Sequence, residues 1–175
     1  VFDWEDASGA STYEVYWGSD PLGTSPTTLV GLSEFQPAVP LPDNGTYYLR
    51  VRSLDEAGNI GGDFVTLFTY LYDAEGPDGV ISVTETNGLT TGICQAVTRS
   101  AIFTWNSPDP PSGAQIAAYD YYWGEDPAGT GTGSTTGTTL SLSVPPGGKH
   151  YLRLSVRDYA GNNSPWNTVF QLCHG

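Results

Sequence analysis

Apolar and polar residues alternate along short runs of this chain, a pattern that predicts half-buried β-strands rather than helices. Between Tyr13 and Trp17, the odd-numbered residues share one face and the even-numbered residues share the other. Clusters of Gly, Pro, Asn and Asp interrupt the runs about every eight to twelve residues, which is typical of an all-β sandwich. The predicted strands are Val1–Trp4, Tyr13–Trp17, Thr27–Leu32, Phe35–Leu41, Tyr47–Leu54, Phe64–Leu71, Val80–Thr84, Ala101–Trp105, Ala118–Trp123, Thr139–Val144, Tyr151–Val156 and Asn167–Cys173.

Three segments of this pattern occur twice in the same order, which indicates an internal duplication. The matched pairs are Phe2–Trp4 with Phe103–Trp105, Tyr13–Thr24 with Tyr119–Thr130, and Tyr48–Asn59 with Tyr151–Asn162. The duplication predicts one domain at residues 1–73 and a second at residues 80–175, joined by an acidic Pro- and Gly-containing linker at 74–79. Between repeated segments, 85–99 is predicted to be irregular, and Gly129–Thr138, which is almost wholly Gly, Thr and Ser, to be a mobile loop.

The repeated segments resemble bacterial fibronectin type III and related immunoglobulin-like modules. The resemblance lies in a strand that ends in Trp, a strand of Tyr-x-(Val/Tyr), and a Tyr-Leu-Arg strand that leads to Asp-x-Ala-Gly-Asn. It implies two tandem β-sandwich domains of a secreted or cell-surface protein, but no particular ligand, because such sandwiches have many roles. The residues that it places in the core are Trp4, Tyr13, Val15, Trp105, Tyr119 and Tyr121.

In this scheme the first repeat begins at strand B and lacks strand A within this chain. The second repeat has Val80–Thr84 as its strand A, whereas Val1 already corresponds to Ile102. Two explanations are open: strand A lies upstream in a longer polypeptide, which we favour, or a neighbouring subunit donates it. The absence of Met from a chain that begins at Val1 also leads us to expect a processed or partial chain.

The same resemblance implies a disulfide between the two cysteines, Cys94 and Cys173. In a seven-strand sandwich of this kind, the loop after strand A and the end of strand G meet at one pole. Cys94 lies in the first of these segments and Cys173 in the second. We therefore expect the two to be bonded, which fits an oxidising compartment.

The charge of the chain excludes several classes of partner. The formal net charge is −13 and Lys149 is the sole lysine, so neither nucleic acid nor an anionic membrane surface is an expected partner. No run is long and apolar enough to cross a bilayer, so membrane insertion is not expected. The histidines, His150 and His174, lie near no nucleophile motif or zinc-ligand pattern, so we expect no enzymatic activity.

Three groups of residues are candidate sites. The linker acids Asp73, Glu75 and Asp78 offer oxygen ligands that suit calcium, with simple solvation as the alternative; no other cofactor is expected. A second group could form an exposed face for sugars or a partner: Tyr16, Tyr122, Arg50, Arg52 and Arg153. The alternative is that Glu14 pairs with Arg50 or Arg52, and Asp120 with Arg153. Asn44 and Asn162 begin N-glycosylation patterns.

These observations favour a non-catalytic structural or interaction segment of an extracellular protein. It would act as a spacer, stalk or fibre-building unit, with neighbouring domains of a longer chain or identical subunits as partners, including strand complementation between neighbours. The alternative is a carbohydrate-binding or adhesive accessory region of a secreted polysaccharide-degrading enzyme, with polysaccharide as the partner.

Overall fold

The computed structural model describes residues 1–96, 99–109 and 114–175, and the chain divides into two compact units. Unit 1 is Val1–Asp73 and unit 2 is Ala74–Gly175. Both are built from strands, and the described residues contain no helix, which confirms the predicted all-β class.

Unit 1 consists of two antiparallel sheets. Its strands are β1 Phe2–Asp3, β2 Thr12–Gly18, β3 Thr27–Val30, β4 Glu34–Phe35, β5 Gly45–Leu54 and β6 Val65–Tyr72. The larger sheet has the order β3-β2-β5-β6, and the smaller one pairs β1 with β4. The alternation of the sequence places Tyr13, Val15, Leu49 and Val51 on the inner face of the larger sheet. Trp4, which directly follows β1, packs against them.

Unit 2 repeats this arrangement with additional strands. They are β7 Thr84–Glu85, β8 Cys94–Gln95, β9 Ala101–Thr104, β10 Ile116–Gly124, β11 Gly133–Thr135, β12 Thr139–Leu142, β13 Gly148–Asp158 and β14 Asn167–His174. One sheet has the order β11-β10-β13-β14-β8 and the other β12-β9-β7. Its core is larger than that of unit 1 and has Phe103, Leu152 and Leu154 completely buried.

The two units share details that support the duplication. Trp4 packs edge-on against Tyr13 at 5.5 Å between ring centroids, and Trp105 packs edge-on against Tyr119 at 5.3 Å. Each last strand pair also has a register irregularity at the same place, between Leu49 and Arg50 in unit 1 and immediately after Leu152 in unit 2.

The structure corrects five local predictions, the first being that 85–99, predicted to be irregular, contains Glu85 of β7 and the whole of β8. Of Phe35–Leu41, only Phe35 lies in a strand, since Pro37 and Pro40 have no N–H for a ladder. Of Val80–Thr84, only Thr84 is in a strand. The predicted mobile loop contains β11, which pairs with β10. Residues 74–79 group with unit 2 rather than forming a separate linker, and Gly76 approaches the Asn163 backbone too closely to admit a Cβ.

Candidate functional site

The loop after β2 is held by the hydroxyl of Tyr16. This oxygen accepts a hydrogen bond from the backbone N–H of Asp20 at 3.0 Å, and the Asp20 carboxylate accepts one from the N–H of Leu22 at 2.9 Å. Unit 2 repeats both bonds: the Tyr122 hydroxyl accepts from the N–H of Asp126 at 3.0 Å, whose carboxylate accepts from Ala128. The repeated aromatic and acidic positions therefore shape a loop in each unit.

Two glycines beside each tyrosine, one at the end of the strand and one in the loop, make room for its ring. A Cβ atom on Gly23 would overlap the ring of Tyr16, and a Cβ atom on Gly129 would overlap the ring of Tyr122. Gly18 and Gly124 are similarly crowded by the same two rings. The repeated Tyr-Trp-Gly-x-Asp-Pro-x-Gly pattern thus encodes the packing of one ring inside its own loop.

We expect Gly129→Ala to destabilise unit 2 by about 1–3 kcal/mol, because the methyl group must displace the packed Tyr122 ring. Chemical denaturation of the purified chain measures this loss. Gly137→Ala is the matched control, since Gly137 is exposed and has an ordinary φ. A Cβ atom on Gly137 would have only the Thr135 hydroxyl nearby, at 4.0 Å. Equal effects of the two substitutions would contradict the packing argument.

An arginine connects each loop to the last strand of its unit; Arg50 is buried and Arg153 is half-buried. Arg50 donates from Nη1 to the Gly23 carbonyl at 2.7 Å, from Nη2 to the Phe64 carbonyl at 2.9 Å, and from Nε to the Thr66 hydroxyl at 3.2 Å. Arg153 likewise donates to the carbonyls of Gly129, at 2.8 Å, and Trp166, at 3.1 Å. Each guanidinium fork therefore joins two segments that are distant in sequence.

These contacts correct the predicted binding face. Tyr16 is 5% exposed and Arg50 is 8% exposed, so neither is available to a ligand. Tyr122 is half-buried and Arg153 is engaged in the equivalent loop. Arg52 forms an ion pair with Glu14 and lies over the Phe64 ring.

The predicted cross-strand charge pairs are partly present. Glu14 forms its ion pair with Arg52 and not with Arg50, because Arg50 is buried and bonded to carbonyl groups. Asp120 pairs with Arg157 at 3.3 Å, not with Arg153 as predicted. The reason is that Arg153 is already directed at the loop carbonyls.

The hairpin after β5 is organised by Asp55. Its carboxylate accepts hydrogen bonds from the N–H groups of Ala57 and Asn59 and from the Asn59 side-chain amide, while Gly58 supplies a positive φ. In unit 2, Asp158 makes the corresponding bonds to the backbone and side chain of Asn162, with Gly161 at positive φ. The repeated Asp-x-Ala-Gly-Asn segment is thus a turn motif.

Hydrogen bonds from Asn59 hold the pKa of Asp55 below the ordinary value of 3.8; the bond from its side-chain amide has the larger effect and the bond from its backbone amide the smaller. A carboxyl whose folded-state pKa is depressed contributes stability above its unfolded value, and this contribution is lost as pH falls through the folded pKa. We expect an NMR titration of the Asp55 carboxyl to give a midpoint below 3.8, and Asn59→Ala to raise that midpoint. An unchanged midpoint in Asn59→Ala would contradict this cause.

The predicted disulfide is present. Cys94 and Cys173 are joined with a Cα–Cα distance of 4.3 Å across 79 residues of sequence. They lie opposite each other where β8 runs parallel to β14. The bond therefore fastens the segment that precedes β9 to the last strand of unit 2.

The other sequence candidates lie in ordinary structural settings. Among the described residues, no three His, Cys, Asp or Glu side chains are grouped so as to hold a metal ion, so the calcium prediction gains no support. The Asn44 side-chain amide donates to Asp73 at 3.1 Å, and that of Asn162 donates to Asp158 at 3.1 Å. Both candidate glycosylation amides are thus engaged by carboxylates. Of the residues assigned to the core, Tyr13, Val15, Trp105 and Tyr119 are buried, and Trp4 and Tyr121 are partly buried.

With this geometry, each unit is a β-sandwich whose two sheets enclose a core that contains aromatic side chains. A search of solved structures finds the fibronectin(III)-like modules of Clostridium thermocellum CbhA, at 14% identity and a TM-score of 0.46, covering 98% of this chain and 81% of that one. No protein-family model matches the chain, and no curated protein matches it. The assignment of the fold rests on the strand order and register of the chain itself. In the described residues, no helix has the length and hydropathy needed to cross a membrane.

Proposed function

We propose that this chain is a non-catalytic structural segment of a secreted or cell-surface protein, where it acts as a spacer or stalk. One observation carries the proposal: the repeated polar and aromatic side chains are used inside the fold. Tyr16 and Arg50 hold a loop, Asp55 holds a turn, and their counterparts in unit 2 do the same. The repetition of these internal hydrogen bonds in both units fits a protein segment whose role is structural.

The disulfide and the charge of the chain support the same proposal. Disulfides persist in oxidising compartments, and the bond across 79 residues fits an extracellular setting. A net charge of −13 keeps such segments soluble and mutually repelling.

Stretching single molecules tests the role as a spacer. If unit 2 bears load, the disulfide should shield the chain between its cysteines, a sequence separation of 79, from extension. Reduction should then lengthen the unfolding step of unit 2 by about 260–280 Å, at about 3.3–3.6 Å per residue. The same step length with and without reductant would count against the proposal.

The carbohydrate-binding alternative, as the sequence predicts it, requires Tyr16 to be exposed on the sheet face, and Tyr16 is buried. We expect insoluble polysaccharides and a glycan array to retain none of the intact chain. Retention that is abolished by substituting the half-buried Tyr122 would instead favour the alternative.

A further inference from the structure

Strand β6 of unit 1 is an exposed sheet edge with an unusual composition. It ends the four-stranded sheet, and its sequence, VTLFTYLY, contains neither a charge nor a proline. The hydrophobic side chains that it exposes are Val65, Leu67, Phe68, Tyr70 and Leu71. Natural edge strands usually carry charged residues or proline that prevent pairing with another strand. The composition of β6 is that of a strand with a partner.

Unit 2 provides an internal reference for this edge. Leu49 lies opposite Phe68 in unit 1, and Leu152 lies opposite Phe170 in unit 2. The next residue in each unit is an arginine that donates to the carbonyl of the residue just before the last strand. Arg50 donates to Phe64, and Arg153 donates to Trp166. The two last strands can therefore be aligned residue by residue: Phe68 with Phe170, Thr69 with Gln171, Tyr70 with Leu172, and Leu71 with Cys173.

The aligned residues differ sharply in exposure. Phe68 is 46% exposed, whereas Phe170 is 6% exposed. Tyr70 is 40% exposed, whereas Leu172 is completely buried. The same positions of the same fold are thus covered in one unit and uncovered in the other.

The segment Val80–Gln95 provides the cover in unit 2. The Asn167 side chain donates to the Val80 carbonyl at 3.1 Å, and the N–H of Gly92 donates to the Gln171 carbonyl at 2.8 Å. The N–H of Gln171 donates to the Thr91 hydroxyl at 3.2 Å. This segment therefore bonds to β14 at its start, through Val80, and near its end, through Thr91–Gln95, while β7 between them pairs with β9.

Unit 1 also has a cavity where this segment would place an apolar side chain. Its volume is about 420 Å³, and its lining includes Trp4, Tyr13, Val51, Val65 and Leu67. In unit 2, the corresponding aromatic residues, Trp105 and Tyr119, share a core cluster with the buried side chains of Val80 and Leu89.

We propose that β6 and this cavity bind an extended polypeptide segment with the chemistry of Val80–Gln95. Its C-terminal part, equivalent to Thr91–Gln95, runs parallel to β6 and bonds the backbone of Thr69 and Leu71. Its N-terminal part, equivalent to Val80–Leu89, places apolar side chains in the cavity. We expect the bound segment to carry little charge, because β6 has no charged residue to pair with. Val80–Gln95 fits this expectation, since its one charged residue is Glu85. This surface is additional to the proposed role as a spacer and does not depend on it.

Disulfide capture tests both the occupant and its register. The probe is a synthetic peptide of residues 80–95 with its cysteine free, added to the full chain carrying Leu71→Cys in a buffer with oxidised glutathione, which accepts the two electrons and is released as two molecules of reduced glutathione. Because Leu71 aligns with Cys173, we expect this variant to form a mixed disulfide at least tenfold faster than the control Thr69→Cys, which lies on the same edge. A scrambled peptide should react equally slowly with both. The wild-type chain, in which both cysteines are bonded, corrects for attack on the native bond.

A second measurement does not depend on any substitution in the chain. In the wild-type chain, the peptide should shift the NMR signals of β6 amides, and a peptide with Leu89→Asp should not. Equal capture by Leu71→Cys and Thr69→Cys would overturn the proposal, as would an absence of shifts on β6. Faster cross-linking of Leu71→Cys to a second copy of the chain than to the peptide would also overturn it, in favour of pairing between copies.

Discussion

Replacing both Cys94 and Cys173 by alanine should lower the free energy of unfolding of unit 2 by about 2–5 kcal/mol. The bond closes a loop across 79 residues, so its loss releases considerable chain entropy in the unfolded state. It also frees β8, which has a short parallel pairing with β14. Without the bond, the segment that precedes β9 should separate from the strand more readily.

Denaturation of the wild-type and variant chains, followed by amide exchange along β13, measures this loss. Reduction of the wild-type chain should reproduce the effect of the substitutions, because both remove the same covalent link. The control is the exchange of β5 in unit 1, which we expect to stay unchanged. A loss below about 1 kcal/mol would mean that the strand contacts alone hold the segment in place.

Arg50→Met should destabilise unit 1 by about 2–5 kcal/mol. The guanidinium group is buried, and its removal leaves the carbonyls of Gly23 and Phe64 without these donors. Hydrogen bonds from a charged donor contribute about 1.5–3 kcal/mol each, and buried acceptors left without a donor add a desolvation cost. Since the core of unit 1 is small, we expect a large fraction of its stability to be lost.

The matched control is Arg52→Met, two residues further along β5. Arg52 pairs with Glu14 at a partly exposed position, where its side chain is 26% accessible, and such pairs contribute about 1 kcal/mol or less. Urea titrations of the two variants should therefore differ clearly. Similar losses in both would show that general packing on β5, rather than the bonds of Arg50, stabilises the loop.

The duplication doubles the signal for the strands and turns that are repeated. The alternation around Val15 and the turn that starts at Asp55 each occur twice, and these elements are predicted correctly, whereas Phe35–Leu41 and Val80–Thr84, which lie outside the repeated segments, are mostly not strands. Short pairings were missed: β11 has only three residues and lies in a run of Gly, Ser and Thr that has no hydrophobic period. Its pairing depends on the neighbouring strand β10, which local propensity does not reveal.

The candidate site could be predicted less well, because burial of a polar side chain depends on tertiary contacts. Alternation placed Tyr16 and Arg50 on the outer face of the sheet, yet the loop after β2 folds back over them. A signal was available in the sequence. Gly23 and Gly129 recur at the same distance from each tyrosine, as expected where a ring packs against backbone that cannot carry a side chain.

Amide hydrogen exchange along β6 tests most directly whether unit 1 is an uncovered copy of unit 2. In an antiparallel ladder, alternate residues point their N–H groups away from the partner strand. By alignment with Gln171, whose N–H bonds outward to Thr91, the amides of Thr69 and Leu71 should point to solvent and exchange quickly, while those of Tyr70 and Tyr72 are protected by β5. Uniform slow exchange along β6 in the isolated chain would contradict the account, because the edge would then already have a partner.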